Sequence, residues 1–556
     1  MYLLQFMRPS NASRTSSAGR TNEDMSECSG ASRCRSRRAK KIERWIAARV
    51  KLTRSSSGLK AATQNGSDRK PPARPTAPEF PRYSSTGNLR PFTKEAADHI
   101  YALFSTVHGA AAIKNKHLEA LNITCEEGIS LNAFVPDASL LPPDAEPPIE
   151  GAASGPSFML STGRPAPGWD VFWSRAKDLL VDNEAAFCAA QRVPPPKGKG
   201  PVKLGSFFKF WLGLEYMGQY WDSSRDHYYE EEVYEQGDGE KSDGNASKKR
   251  KRERYEGHRI GTGKEMPDVY REDTVRDLLD PIVYLFGCQT LPPRVTPRVT
   301  LRNTLFPVRV THSVYRTPSD RTKARKGFVE GPVIAIQCRP EISFNTRDTG
   351  DSVGPEDRLN LLRELAGALL VAQERSREGK PMLRPGEGQW YTTVPRWGGG
   401  PGGEVGEAAG ITDEIEPVKG DRNPRRSKTR KELNAEAYKK VEPGMGTWDI
   451  RTEFKHIGKD AAEPIDHIYL FSSLNHHVSI VDFRFHAAYL GVLDSGKVPD
   501  GSMDTSDGVP WYELNMRRTR WYDLFKAEDR IEVLRGLWAI MGFMMRENTR
   551  RASPEL

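Results

Sequence analysis

A chain of 556 residues has room for roughly two or three domains, or for one large domain with additions. Its hydrophobic content of 37% falls below the roughly 45–50% of globular averages that also count Gly, so polar tracts must lie beside any core. The net charge of +9 is uneven: residues 1–90 hold 19 Lys and Arg against 6 Asp and Glu, a local +13, which leaves about −4 for the rest. A dedicated nucleic-acid groove in the folded part is disfavoured, because such domains are basic themselves. No apolar run reaches the roughly 18 residues of a membrane span. Six cysteines without a C-x-x-C fit a reducing compartment better than secretion.

Residues 1–90 read as a disordered basic tail, rich in Ser, Arg and Pro. The stretch RPSNASRTSSAGR has no acid before Glu23 and also fits a mitochondrial transit peptide. In SRRAKKIERWIAARVKL, Ile42, Trp45, Ile46 and Val50 share a helical face among Arg and Lys. That is the pattern of a basic amphipathic helix that meets a membrane surface, a calmodulin-like partner or nucleic acid. Order begins near Pro91. Residues 91–222 are expected to be mainly helical, from apolar spacing around 94–107, 169–191 and 202–221, the last aromatic on nearly all sides and therefore buried. Residues 223–262 break this pattern and are expected as a disordered insertion, acidic in YYEEEVYEQGDGE and basic in Lys248 to Arg254.

A mixed α/β core is expected over 263–396. DTVRDLLDPIVYLFG reads as a helix bent or split at Pro281. RVTLRNTLFPVRVTHSVYR, EGPVIAIQCRPEISF and QWYTTVPRW read as strands. EDRLNLLRELAGALLVAQERSREGK is the clearest helix. Its Leu361, Leu362, Leu365, Ala366, Leu369 and Leu370 cover more than half the circumference, so it should pack centrally. Residues 397–446 form a Gly-rich and basic linker. Residues 447–550 are expected as a C-terminal α+β region packed on the core, with strands near 447–456, 466–474 and 477–487. A closing helix sets Ile531, Leu534, Trp538, Met541 and Met545 on one stripe. WYEL at 511–514 and WYDL at 521–524 read as two aromatic anchors in one packing layer. The fold class is α+β: one or two mixed α/β globular units with a long disordered N-terminal tail and charged or Gly-rich disordered insertions.

The run Lys248, Lys249, Arg250, Lys251, Arg252 has the form of a nuclear localisation signal, which an import receptor reads when it is extended and exposed. A solvated loop ranks second and direct nucleic-acid binding third. A second basic cluster, Arg422, Arg425, Arg426, Lys428, Arg430 and Lys431, lies in the later linker, and Arg425-Arg426-Ser427 has the letters of a basophilic kinase site. Gly398, Gly400 and Gly403 spell G-x-G-x-x-G, but Glu404 and Glu407 follow and would repel a phosphate, so a flexible hinge is the better reading. Five of eleven histidines fall at His456, His467, His476, His477 and His486, in and around an expected hairpin, LNHHVSIVDFRFH. Asp482, Arg484 and His486 alternate onto one face of it, expected to be half-exposed. Without H-x-H or H-E-x-x-H no metal and no cofactor are expected.

The order helix, strand, strand, central helix, strand over 273–394 resembles the core of PD-(D/E)xK nucleases. The resemblance implies an Asp and an acid-x-Lys on adjacent strands that hold Mg²⁺ and orient water. Asp320, in Pro318-Ser319-Asp320, sits where the Asp could be, and Gln337-Cys338-Arg339 where the acid-x-Lys would be. Both key positions depart from the family pattern, since Gln is a poor Mg²⁺ ligand and Arg a poor proton acceptor. Glu453-Phe454-Lys455 has the letters E-x-K, with Asp449 as its nearest upstream Asp. Asp482 and His486 are the remaining catalytic candidates. No convincing catalytic constellation stands out, so the leading expectation is a soluble nuclear protein that binds other macromolecules. An import receptor and proteins that meet its disordered segments would be its partners. A degenerate or active PD-(D/E)xK-like hydrolase, or a mitochondrially imported or cytoplasmic protein, are the alternatives.

Overall fold

The computed structural model describes residues 72–83, 85, 89–107, 112–145, 155–234, 249–294, 297–302, 304–344, 354–379, 451–459, 463–499 and 508–547. The 1–71 part of the tail, Lys248, the Gly-rich stretch and the 422–431 cluster lie outside them, as does QWYTTVPRW. In chain order the main elements begin with α1 (Lys94–Ser105), β1 (Ile123–Ile129), α2 (Trp169–Ala176), α3 (Asn183–Gln191) and α4 (Phe208–Trp221). Then come β2 (His227–Tyr234), β3 (Lys249–Glu256), α5 (Asp268–Val283), β4 (Cys288–Leu291), β5 (Arg298–Leu301), β6 (Thr304–Pro307), β7 (His312–Arg316), β8 (Val329–Arg339) and α6 (Pro355–Arg375). The C-terminal part adds β9 (Thr452–Phe454), β10 (Ile465–Leu474), β11 (His477–His486), α7 (Ala487–Ser495), β12 (Leu514–Thr519), β13 (Tyr522–Asp523) and α8 (Ala527–Met545). The fold is α+β.

Pro72–His227 with Glu256–Leu556 make one compact unit. Its centre is a nine-stranded mixed sheet in the order β1–β12–β11–β10–β8–β7–β4, with β13 on β11 and β9 on β8. The first, middle and last thirds of the chain therefore share one sheet: β1 runs parallel to β12, and β10 runs parallel to β8. Alternation with period 2 sorts the side chains to two faces. Ile334, Ile336, Cys338, Tyr469, Phe471 and Ile480 join α4, α5 and α8 in one core. Ala335, Ile468, Leu470, Val481, Phe483 and Met516 join α1, α6 and α7 in the other. Both faces being covered explains why all eleven residues of β8 are buried.

Local chemistry accounts for the elements that position the candidate sites. Helix α6 starts with Pro355 at its first turn, where a missing N–H costs nothing, and Glu356 and Asp357 complement the positive end of the helix dipole. Its leucines are buried as expected. Removing one, as in Leu365→Ala, should cost about 2–5 kcal/mol. The expected helix over 169–191 is two helices, because Asp182 accepts from the Ala185 backbone N–H at 3.2 Å and starts α3 afresh. Pro281 neither splits nor ends α5, which runs on to Val283 and closes in a 3-10 turn before Gly287 at φ 73°. The two WY anchors do not share a layer: Trp511 and Leu514 belong to the α6 face, Tyr522 and Leu524 to the α8 face.

The other unit is Met1–Pro71 with Tyr228–Tyr255. The insertion expected to be disordered over 223–262 contains the two-stranded sheet β2–β3. The acidic letters of HYYEEEVY and the basic letters of KRKRERYE are thereby paired backbone to backbone. Tyr228 and Tyr255 face each other at its base, ring centroids 5.3 Å apart. In the larger unit, Arg259 holds the chain on either side of this ribbon, donating to Asp226 at 2.8 Å and to the Ala73 carbonyl at 2.6 Å.

Candidate functional site

Helix α5, strands β4, β7 and β8, helix α6 and strand β10 follow one another with β4–β7–β8 antiparallel and β10 parallel to β8. Gln337 and Arg339 leave β8 on the α6 face and are both fully buried. The Gln337 amide donates to the carbonyls of Arg309 and Arg363, at 2.7 and 3.1 Å. Arg339 donates to Glu364 of α6 at 2.7 Å, to Ser472 of β10 at 2.6 Å and to Asn360. Glu364 also accepts from Ser472 at 2.5 Å, from the Tyr83 hydroxyl at 3.0 Å and from Arg518 of β12. Burial opposes ionising this carboxyl, yet Arg518 and Arg339 outweigh it and hold Glu364 at about 2. Arg518 is stacked between rings, 5.1 Å from the Tyr83 centroid and 4.8 Å from that of Trp521. The place where two acids and a lysine would meet is thus one acid between two arginines, with no water-facing side.

Asp320 lies elsewhere. It is exposed and caps the short helix Arg321–Arg325, accepting from the Thr322 N–H at 2.7 Å. That helix sits at the Val329 end of β8, where Lys323 reaches Glu453, while Gln337 and Arg339 occupy the far end, on the order of 25 Å along the strand. The E-x-K letters of Glu453 and Lys455 do find an acid on a neighbouring strand, but it is Glu330, the β8 partner of Glu453. Each carboxylate oxygen of this pair faces a cation. Glu330 meets Lys455 and Arg316, both at 2.6 Å, and Glu453 meets Lys323 at 2.6 Å and Lys455 at 3.5 Å. Burial would raise Glu330, but Lys455 and Arg316 lower it below the usual carboxylate range. This cluster is an ion-pair network, and a metal would have to displace its lysines.

The hairpin β10–β11 carries the remaining candidates, at opposite ends. At its open end His467 and Arg484 are register partners, as are Ile465 and His486. Asp482 is not on a half-exposed face; it is fully buried and accepts from His467 Nδ1 at 3.0 Å. Burial works against charging His467, but the Asp482 carboxylate prevails and raises it above the ordinary imidazole value. His486 caps α7, its Nδ1 accepting from the Ala488 N–H at 3.0 Å. His467, Arg484 and His486, with Trp511, Glu513 and Asn515, line a polar cleft of about 150 Å³.

At the closed end, Asn475 turns the chain at φ 53° and is anchored by donating to the Glu341 carbonyl at 3.0 Å. His476 and His477 follow, ring centroids 4.2 Å apart. The pairing of β13 with β11 sets Asp523 opposite His477, so both rings and this carboxylate offer ligand atoms within 4.8 Å of one another. Burial lowers both imidazoles, His476 well below its usual value. Sequence reading missed this grouping because Asp523 is brought there by strand pairing alone. The missed Glu364 had a signal: Asn360 and Glu364 stand four apart in a helix whose apolar surface already demands burial.

Lys249, Arg250, Lys251 and Arg252 lie on β3. Among the described residues no helix is long and apolar enough to cross a membrane. No family model, no curated protein and no solved structure matches this chain.

Proposed function

We propose that this chain acts by binding other macromolecules on a nuclease-like scaffold that lacks the catalytic carboxylates, and that a nuclear import receptor reads Lys248–Arg252. The observation that carries the first part is the enclosed Glu364 centre. Its two arginines supply more positive charge than the lone carboxylate can balance, which opposes a divalent cation, and no face of it admits water or a phosphodiester. The import reading is supported by the extended backbone of β3, the form in which such signals are bound. Pairing with the acidic β2 adds a regulatory feature: Glu230, Glu231 and Glu232 compete with the receptor for the same basic strand. Salt weakens that competition.

Three measurements test these parts. Incubated with Mg²⁺ or Mn²⁺, the protein should leave plasmid DNA and RNA intact; metal-dependent cleavage that disappears in Glu453→Gln or Glu330→Gln would overturn the binding reading. Deleting 248–254 should abolish nuclear accumulation of a tagged copy, and unchanged accumulation removes the import reading. A 226–262 peptide with its β2 glutamates changed to Gln should bind an import receptor more tightly than the native peptide at low salt.

A further inference from the structure

We infer that His476, His477 and Asp523 form a binding site for one divalent first-row transition cation, at the closed end of the β10–β11 hairpin. Three observations carry it. The first is the donor set. Two imidazoles and one carboxylate offer ligand atoms mutually within 4.8 Å, with His476 Nε2 3.9 Å from Asp523 Oδ1, a spacing that one ion between them would bridge. Two His with one carboxylate leave coordination positions open, and imidazole nitrogen favours Zn²⁺, Fe²⁺, Co²⁺ or Ni²⁺ over the oxygen-seeking Mg²⁺ and Ca²⁺.

The second observation is an unmet need. Nδ1 of His476 and Nδ1 of His477 are buried and have no hydrogen-bond partner among the described residues, and His476 is more than nine-tenths enclosed. A buried nitrogen left bare in this way costs roughly 1–3 kcal/mol. Two such nitrogens side by side leave both rings with bonding capacity that the described residues do not use. The third is the setting. The His476 ring lies 5.0 Å from Trp221 and 5.0 Å from Phe525, and Phe80 closes on His477 at 4.9 Å, so the walls are apolar. Asp523 is held by its own N–H donating to Asp529 at 2.8 Å and by its Oδ1 accepting from Phe525 N–H at 3.0 Å. His477 and Asp523 are only half-buried, which leaves an entry path and room for water or a substrate oxygen at the open positions. Lys526 Nζ, 3.9 Å from Asp523 Oδ2, is the resident cation that a metal would push aside.

The full chain, freed of metal with a chelator and then titrated with Co²⁺, should take up one equivalent at this site with visible d–d absorption, and Zn²⁺ should compete it away. His477→Gln and Asp523→Asn, which preserve side-chain volume, should each weaken the Co²⁺ affinity at least about tenfold, a loss that even outer-shell changes around metal ligands produce. The melting temperature without metal reports whether each variant is folded. Zn²⁺ should raise the melting temperature of the wild type and not that of His477→Gln. Absence of stoichiometric Co²⁺ binding to the wild type, or binding unchanged in both variants, would overturn the assignment. If one variant fails to fold, the other carries the same reading.

Discussion

Ser472 and His476 stand four positions apart along one strand and its turn, yet the polar groups around them are treated in opposite ways. Around Ser472, the one carboxylate is fully answered: Glu364 accepts from Arg339, Arg518, Tyr83 and Ser472, and the centre is sealed. Around His476, two imidazoles and a carboxylate converge, with both Nδ1 atoms unanswered among the described residues and a path to solvent. A buried polar group that the fold itself satisfies holds the fold together. At the tip, Nδ1 of His476 and of His477 are satisfied by no described residue. The His467–Asp482 pair, at the far end of the same hairpin, belongs to the first kind: its donor and acceptor meet at 3.0 Å.

The contrast is sharpest where the answer is removed. Glu364→Gln would leave Arg339 and Arg518 buried without a counter-charge, and should cost about 3–5 kcal/mol of stability. The midpoint of guanidinium unfolding, with an unchanged slope, reads this directly. A loss below about 1 kcal/mol would mean the two arginines do not depend on Glu364 for their counter-charge. Acid should do the same job gradually. Because Glu364 is depressed to about 2 in the folded chain, its contribution is fully present above its unfolded value and is lost as pH falls from about 4.3 toward 2. The loss over that window should be on the order of 3 kcal/mol, and the Glu364→Gln variant should show a flatter acid limb.

At the open end of the hairpin the expected effect is smaller. Asp482→Asn keeps the shape but removes the charge that raises His467, and the loss of a charged hydrogen bond should cost about 1.5–3 kcal/mol. The sign against pH is opposite to that of Glu364. A raised histidine stabilises below its unfolded value, near 6.5, and this contribution fades as pH rises through the folded value. Proton NMR of the His467 ring should show a titration midpoint above that of a free histidine in the wild type and a lower one in Asp482→Asn.

Much of the scaffold is legible from local pattern. The leucines of α6, the stripe of α8 and the LNHHV turn announce their elements, because periodicity and turn chemistry act over a few residues. What pairing over long distances decides is not legible in the same way. The acidic and basic halves of the 223–262 insertion read as two opposed charge runs, and only their cross-strand pairing makes a ribbon of them. Asp320 and Gln337-Cys338-Arg339 look close in the nuclease pattern but stand at opposite ends of β8. Glu330 and Glu453, 123 positions apart in the chain, are neighbours. Arg518 was readable in part: Leu514, Met516 and Arg518 share one strand face, so a charge on the apolar side required a buried partner.

The smallest effect is the most telling for the hairpin tip. If His476 and His477 were there for packing, His477→Gln would loosen the Phe80 contact and destabilise the chain whatever the solution contains. If they are there for a cation, the metal-free protein gains little from the His477 nitrogens, because no described residue bonds to its Nδ1. The metal-free variant should then unfold within about 0.5 kcal/mol of the wild type. The difference should open only when metal is added, reaching about 2.7 kcal/mol at a free concentration one hundred times the dissociation constant. Urea unfolding of both proteins, with chelator and then with buffered Zn²⁺, separates the two outcomes. A gap that is the same in both buffers places the histidines with Glu364, as parts of the core. A gap that appears only with Zn²⁺ sets the two polar centres apart by what each was left to bind.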